Sequence, residues 1–248
     1  MAVKAFVVGA LAVLVFAVPP ARAQGRLPPD FVYLRDIDAT IGQDIRYASA
    51  RNFTGRPLPG YGAAECVLRR DAALALKRVQ DDLRGSGLSL KVYDCYRPQR
   101  AVTAMAQWAA APEDNRTRRF YPKLDKRHLF EGWIAAHSKH STGTAIDLTL
   151  VPIGSVSPRF DPRRRFGDCD GAERAPDNSL EMGTNFDCFS PKSYTRSAAI
   201  SREARDNRAQ FTAAMNRHGF RNYFREWWHF EFQDGAPLAA YDVPIGAR

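Results

Sequence analysis

Two short stretches, Ser138-Lys139-His140-Ser141-Thr142-Gly143-Thr144-Ala145-Ile146-Asp147 and Glu226-Trp227-Trp228-His229, constrain this chain more than any other feature. They lie far apart in sequence, yet together they supply two imidazoles and a carboxylate suited to holding a zinc ion. A second carboxylate, Glu226, stands close to the last imidazole, where a general base would be needed. Structural zinc sites are usually closed by four protein ligands and rich in cysteine, whereas catalytic sites use three and leave a position for water. A His, Asp, His set therefore points to hydrolysis more than to scaffolding, in a fold that brings both stretches together.

The spacing within each stretch sets local requirements. His140 and Asp147 are seven apart with Gly143 between them, and a glycine there lets the chain turn from a loop into a strand carrying Asp147. Taken alone this pattern is weak: the histidine suits a surface loop, and Asp147 suits a cap or an arginine pair. Glu226 precedes His229 by three, which in a regular strand puts the two side chains on opposite faces. For both to serve one site, Glu226 must lie in an irregular lead-in with His229 at the start of the strand. Bends and bulges of that kind are common beside active sites. The competing reading pairs Glu226 with Arg225 or Arg221 and leaves His229 half-buried in a strand.

The rest of the chain reads as alternating helices and strands. Phe31 to Ile37 alternates as an edge strand would. Asp71 to Arg84 carries Ala72, Ala75, Leu76, Val79 and Leu83 at helical spacing, and Gly85-Ser86-Gly87 ends that helix before a strand from Leu88 to Tyr93. A second helix is predicted over Gln99 to Ala109, a buried strand over Thr144 to Val151, and a third helix over Ser201 to Arg217 with Gly219 as its C-cap. Tyr223 to Phe232 is aromatic and β-prone, the expected last core strand. Between Pro152 and Asn185 the composition turns to Pro, Gly, Arg and Asp, a long surface excursion. The expected fold class is α+β, a single domain with helices packed on a small, mainly antiparallel sheet.

Residues 1–23 stand apart. Lys4 precedes an apolar run from Ala5 to Val18, Pro19-Pro20 break any helix, and Ala21-Arg22-Ala23 has the small-x-small form of a signal-peptidase site. The run is short for a span of about 20 residues, so the reading is a cleaved signal peptide, a domain over 24–248, and export to the periplasm or beyond without stable membrane insertion. Loss of Lys4 and Arg22 lowers the net charge from +9 to +7. Basic residues are scattered among acidic ones, and the densest group, Arg163-Arg164-Arg165, falls in the excursion. Solvation or attraction to anionic envelope polymers is a simpler reading than nucleic-acid binding. Four cysteines suit an oxidising compartment and allow three connectivities. With no CxxC spacing to suggest a metal site, the reading pairs nearer neighbours, Cys66–Cys95 and Cys169–Cys188.

The motifs SxHxxGxAxD and ExWH resemble those of the zinc D-alanyl-D-alanine dipeptidases, within the D,D-carboxypeptidase-like metallopeptidases. Asn52-Phe53-Thr54-Gly55-Arg56-Pro57, Tyr93-Asp94-Cys95-Tyr96-Arg97-Pro98, Ala145-Ile146-Asp147-Leu148-Thr149-Leu150 and Met182-Gly183-Thr184 with Phe186-Asp187 are similar to the same branch, in the same order, from about Phe31 to Pro244. The resemblance implies one Zn²⁺ held by His140, Asp147 and His229, with Glu226 as general base and acid and Arg97 stabilising the developing oxyanion. It also implies Asp187 and Tyr47 at the ammonium end of a dipeptide and Ser138 near its carboxylate. Each of these three has a plainer role open to it: turn cap, core residue and backbone partner.

The implied activity is hydrolysis of D-Ala-D-Ala in cell-wall metabolism. Alternatives are a D,D-carboxypeptidase acting on peptidoglycan stem peptides, or a wall-binding relative without turnover. The sequence leaves oligomeric state open. His137 lies outside the motif position, His218 is expected to stabilise a helix C-terminus, His128 is expected at the surface, and Trp227 and Trp228 as packing walls. Two departures from compact members of the branch are the cysteines and the long Val156 to Glu181 excursion, which leads into Asp187 and bears on specificity.

Overall fold

Strand β5, Ala145–Pro152, runs through the centre of the fold and is buried along all but its last residue. The computed structural model describes residues 25–161, 163–233 and 239–247, so the expected signal peptide at 1–23 lies outside the described residues. Around β5 is a five-stranded sheet in the order β2 (Gly42–Gln43), β4 (Leu88–Asp94), β5, β7 (His229–Phe232), β6 (Phe220–Asn222). Only the β2–β4 pair is parallel. A second, two-stranded antiparallel sheet pairs β1 (Phe31–Tyr33) with β3 (Val67–Arg69). The chain is thus α+β with a mainly antiparallel sheet.

The helices are α1 (Leu34–Ile37), α2 (Arg70–Arg84), α3 (Gln99–Ala110) and α4 (Arg202–Asn216). The apolar stripe of α2 is buried at Ala72, Ala75, Leu76, Val79 and Leu83, and α2 packs against β4 and α4. Helix α4 starts where the Ser201 side chain accepts the Ala204 N–H, a favoured N-cap arrangement. Phe211 of α4 packs on Phe230 of β7 with ring centroids 4.8 Å apart, and Phe230 sits opposite Ile146 in the ladder. Helix α4 therefore covers the face bearing Ile146 and Phe230. Alternation along a strand sends their neighbours, Asp147 and His229, to the other face.

Two sequence expectations are corrected. Phe31 to Ile37 is not one strand, because β1 stops at Tyr33, where its partner begins at Val67, and no further ladder is available. The chain instead closes a helical turn, with Asp38 N–H donating to Leu34 O at 2.8 Å and Leu34 fully buried. Tyr223 to Phe232 is not one strand either. Tyr223–Trp228 form a turn between β6 and β7, closed by Tyr223 N–H to His229 O at 3.0 Å and by the Asn222 amide, which donates to Glu226 O and His229 O.

The excursion after β5 has no regular strand or helix among its described residues, as its composition implies. It is nonetheless fastened to the body: Leu180 N–H donates to Leu150 O at 2.9 Å, and Asp177 lies between Arg46 and Lys91. Both expected disulfides, Cys66–Cys95 and Cys169–Cys188, are present. His218 stands just past the end of α4, and its Nε2 lies 2.7 Å from Asp82 Oδ2, which ties that helix end to α2. Among the described residues no helix is long and apolar enough to cross a membrane.

Candidate metal centre and active site

The register of the sheet lines up a row of polar residues on the face away from α4. Asp147 on β5 is opposite His229 on β7, and opposite Asp94 on β4. Asp94 gains that place through a bulge: pairing runs regularly to Val92↔Leu148, then skips to Asp94↔Asp147. One extra residue re-aims the strand end, so an aspartate rather than Tyr93 faces the row. His140 reaches the same point from the short turn Lys139–Thr142, which ends at Gly143 with φ +79°. A side chain there would also meet the Phe31 ring at 2.5 Å, so the turn into β5 requires glycine on both counts.

His140 Nε2, Asp147 Oδ1 and His229 Nδ1 form a nearly equilateral triangle with sides of 3.1, 3.2 and 3.0 Å. Donors at 2.0–2.1 Å in a tetrahedral zinc site stand roughly 3.3 Å apart, so the spacing fits. The tautomers fit as well. His140 Nδ1 is 2.7 Å from the carbonyl oxygen of Cys95, which can only accept; Nδ1 carries the proton and Nε2 presents its lone pair. His229 Nε2 faces Glu231 Oε1 at 3.5 Å, which likewise turns Nδ1 toward the centre. Two imidazole lone pairs 3.1 Å apart repel unless a cation or proton sits between them. All three side chains are buried. The residues present therefore fit a zinc ion, with Cys95 O and Glu231 orienting its histidines as outer partners usually do.

This geometry predicts proton release on metal binding. Burial disfavours charge on His229, but its bond to Asp147 and the nearby Glu231 outweigh that and push its pKa up to about 10. Metal must displace that proton. Apparent zinc affinity should therefore rise with pH below about 10, by up to about tenfold per unit for one proton. Competition titrations at two pH values check this, and an affinity independent of pH would count against the assignment.

Glu226 sits in the turn before β7 and His229 at its first residue, as the spacing argument required. Glu226 Oε2 is 3.9 Å from His229 Nδ1. The competing ion pairs to Arg221 and Arg225 do not form among the described residues. Burial, opposed by His229 and reinforced by Asp147, pushes Glu226 up to about 7. A carboxylate poised there can take and return a proton near neutral pH.

Arg97 is nine-tenths buried beside the triangle. Its Nε and Nη2 donate to Asp94 Oδ2 at 2.9 and 2.8 Å, Nη2 lies 3.4 Å from Asp147 Oδ2, and the guanidinium covers the Tyr47 ring at 4.9 Å. Asp94, fully buried, also accepts from Tyr61 OH at 2.6 Å and lies 3.4 Å from His140 Nδ1. Sequence reasoning gave no role to Asp94, Tyr61 or Glu231. An aspartate three before an arginine was the available signal for Asp94; nothing local marks the other two.

A cavity of about 310 Å³ opens onto these groups and is lined by Arg97, His140, Asp147, Asp187, Glu226 and His229 among others. That is at the small end for ligand sites. Asp187, at φ +59°, is buried, and the hydroxyl of Tyr47 donates to its oxygens at 3.0 and 3.2 Å. Burial and the nearby Asp147 push its pKa well above the carboxylate range. Ser138 lines the same cavity, and its hydroxyl accepts the His140 N–H at 3.2 Å. Trp228 forms part of the wall, while Trp227 is packed away from it with Nε1 donating to Thr184. His137 lies at the exposed rim outside the triangle, and His128 is on the surface beside Glu131.

The profile of the peptidase M15 family, described as D-Ala-D-Ala dipeptidase, matches residues 29–157 and 174–245. The skipped residues fall inside the excursion. A D-alanyl-D-alanine dipeptidase of Enterococcus faecium is 33% identical over 218 residues, 87% of this chain and 98% of that protein. One from Streptomyces coelicolor is 33% identical over 219 residues, with 87% and 98% covered. One from Enterococcus faecalis is 32% identical over 206 residues, with 82% and 92% covered. With a profile match along most of its length and relatives aligned nearly end to end, this chain belongs to the peptidase M15 family of D-Ala-D-Ala dipeptidases.

Proposed function

We propose that this chain is an exported zinc D,D-dipeptidase that hydrolyses free D-Ala-D-Ala in cell-wall peptide metabolism, with His140, Asp147 and His229 as ligands of one zinc. The observation that carries the reading is the three-donor triangle opening into the same small cavity as the buried carboxylate of Asp187. Zinc held by that triangle would supply Lewis acidity toward the scissile carbonyl and activation of water.

The protein groups have separate tasks. Asp187, lifted in pKa while its cavity holds no cation, is completed by the free ammonium of a dipeptide; a buried ammonium requires such an acceptor. Tyr47 holds that carboxylate in place. Glu226 takes a proton from the attacking water and delivers it to the leaving amine. Arg97 is already fixed by Asp94, so its charge meets the developing oxyanion without reorganisation. Ser138 caps the turn that presents His140 and leaves its hydroxyl on the cavity wall near the substrate carboxylate.

The decisive experiment measures D-alanine release from D-Ala-D-Ala and from its N-acetyl form, with and without a chelator. Hydrolysis of the free dipeptide alone, abolished by chelation and restored by zinc, is expected. Equal or faster cleavage of the N-acylated substrate would replace the dipeptidase reading with a D,D-carboxypeptidase. No cleavage of either by zinc-loaded protein would favour a binding role.

A further inference from the structure

Tyr47 and Asp187, the pair assigned to the ammonium end of the substrate, line the site cavity, while their chain neighbours Arg46 and Phe186 line a separate hollow. The hydrogen bond from Tyr47 to Asp187 joins segments 140 residues apart. Its geometry is therefore only as fixed as the packing of those two segments. Asp187 adds a demand of its own: at φ +59° it sits in the left-handed region, which persists for a non-glycine residue where the surroundings hold it.

Arg46 supplies that hold. It opens the short turn Arg46–Ala48 and is buried. Its guanidinium carbon lies 4.7 Å from the Tyr93 ring centre and 5.9 Å from that of Phe186, within the reach of cation–π attraction. Tyr93 and Phe186 themselves stack with ring centres 4.6 Å apart and planes 18° from parallel. A side chain from the Tyr47 segment thus packs against the residue that precedes Asp187. The guanidinium is fixed by two carboxylates, Nε donating to Asp44 Oδ2 at 2.9 Å and Nη2 to Asp177 Oδ2 at 2.6 Å. Asp177 comes from the excursion, where Ser179 N–H donates to its Oδ1 at 3.0 Å and Leu180 N–H to Leu150 O at 2.9 Å.

We infer that Arg46 is the positioning residue of the ammonium subsite: anchored by Asp44 and Asp177, it holds Phe186 and Asp187 against Tyr47, so that the carboxylate meets the substrate ammonium already oriented. The inference rests on the dipeptidase reading and deepens it, since Asp177 ties the excursion to substrate recognition. Preorganisation of this kind lowers the cost of binding. Its sign is distinctive. Field alone would make loss of a nearby cation favour ammonium binding, so a weaker hold on the dipeptide reads position and not charge.

The test compares Arg46→Met with Lys91→Met. Neither aspartate is orphaned in Arg46→Met, because Asp44 keeps Arg51 at 3.2 Å and Asp177 keeps Lys91. Lys91→Met removes the other cation from Asp177 but leaves Arg46 in place, and so gauges what destabilisation alone does. In Arg46→Met, KM for D-Ala-D-Ala is expected to rise about tenfold or more, the worth of one charge-assisted bond, with kcat within about threefold of wild type and zinc retained. Lys91→Met should keep KM near wild type, and Arg46→Lys, which can still pair with Asp177, should fall between wild type and Arg46→Met. An unchanged KM in Arg46→Met, whatever kcat does, or equal rises in Arg46→Met and Lys91→Met, overturns the inference. If Arg46→Met does not fold, Arg46→Lys decides, and a wild-type KM there overturns it. Calorimetric titration of D-Ala-D-Ala into zinc-loaded Glu226→Gln protein, with and without Arg46→Met, reads the same subsite without turnover. A loss of affinity by the same factor is expected; equal affinity, or binding by neither, overturns the inference. Absence of turnover by wild type would sink the dipeptidase reading and leave this comparison to decide the role of Arg46.

Discussion

Glu226→Gln should retain one zinc per chain while D-Ala-D-Ala turnover falls by about 10²–10⁴-fold, the usual worth of a positioned general base. The amide fills the same buried volume, so packing of the β6–β7 turn is preserved: its backbone bonds, Glu226 N–H to Tyr223 O at 3.0 Å and Asn222 Nδ2 to Glu226 O at 2.9 Å, do not involve the side chain. What disappears is, among the described residues, the one carboxylate beside the triangle that is neither a proposed ligand nor held by a donor. Asp94 is occupied by Arg97 and Tyr61, and Asp187 by Tyr47. Metal analysis and turnover on the same preparation separate chemistry from metal retention. Turnover near wild type in zinc-loaded Glu226→Gln would remove this residue from the mechanism.

His229→Ala should lose zinc and activity together. It removes one corner of the donor triangle, leaving His140 and Asp147, and it strips Asp147 of a partner at 3.0 Å in a buried setting. The loss in metal affinity should exceed the about 10–100-fold typical of removing an outer partner. Glu231→Gln, which only weakens the hold on His229 Nε2, supplies that comparison. Full zinc occupancy in the His229→Ala protein would mean that the metal lies elsewhere, whatever the activity shows.

These two outcomes depend on different layers of the molecule, and those layers were unequally legible in the chain. Periodicity located α2 to within one residue and β5 to within one residue at each end, because both elements are decided by continuous apolar patterns whose burial dominates local alternatives. Pattern failed where a ladder partner ran out. Phe31 to Ile37 alternates like a strand, but after Tyr33 the partner strand has no residue left to pair, and the chain turns helical. The aromatic run from Tyr223 reads as β throughout, yet a three-residue offset between Glu226 and His229 can serve one site only if the backbone bends, and the bend is there.

Pairing of the cysteines by nearest neighbour was sufficient, since each bridge closes a short loop already drawn together by its flanking elements. The consequence of the second bridge was not. Neither the composition of the excursion nor the spacing of its cysteines shows that Cys169 comes to rest against the Arg118–Phe120 turn, because that contact is a backbone bond from Cys169 N–H to Arg119 O between segments fifty residues apart.

Residue identity alone determined the candidate donors and the family, since His, Asp and Glu carry their chemistry wherever they fall and their order in the motifs is itself distinctive. Their convergence was a matter for the tertiary structure. The triangle depends on strand register, which sets Asp147 opposite His229, and the bulge in β4 is what turns Asp94 toward them. A slip of one residue would reverse every face of the sheet. The tautomer of His140 depends on the carbonyl of Cys95, forty-five residues away, and the charge state of Glu226 on burial beside groups from two other strands. Hydrogen bonds and desolvation act through space, so no local reading of the chain contains them.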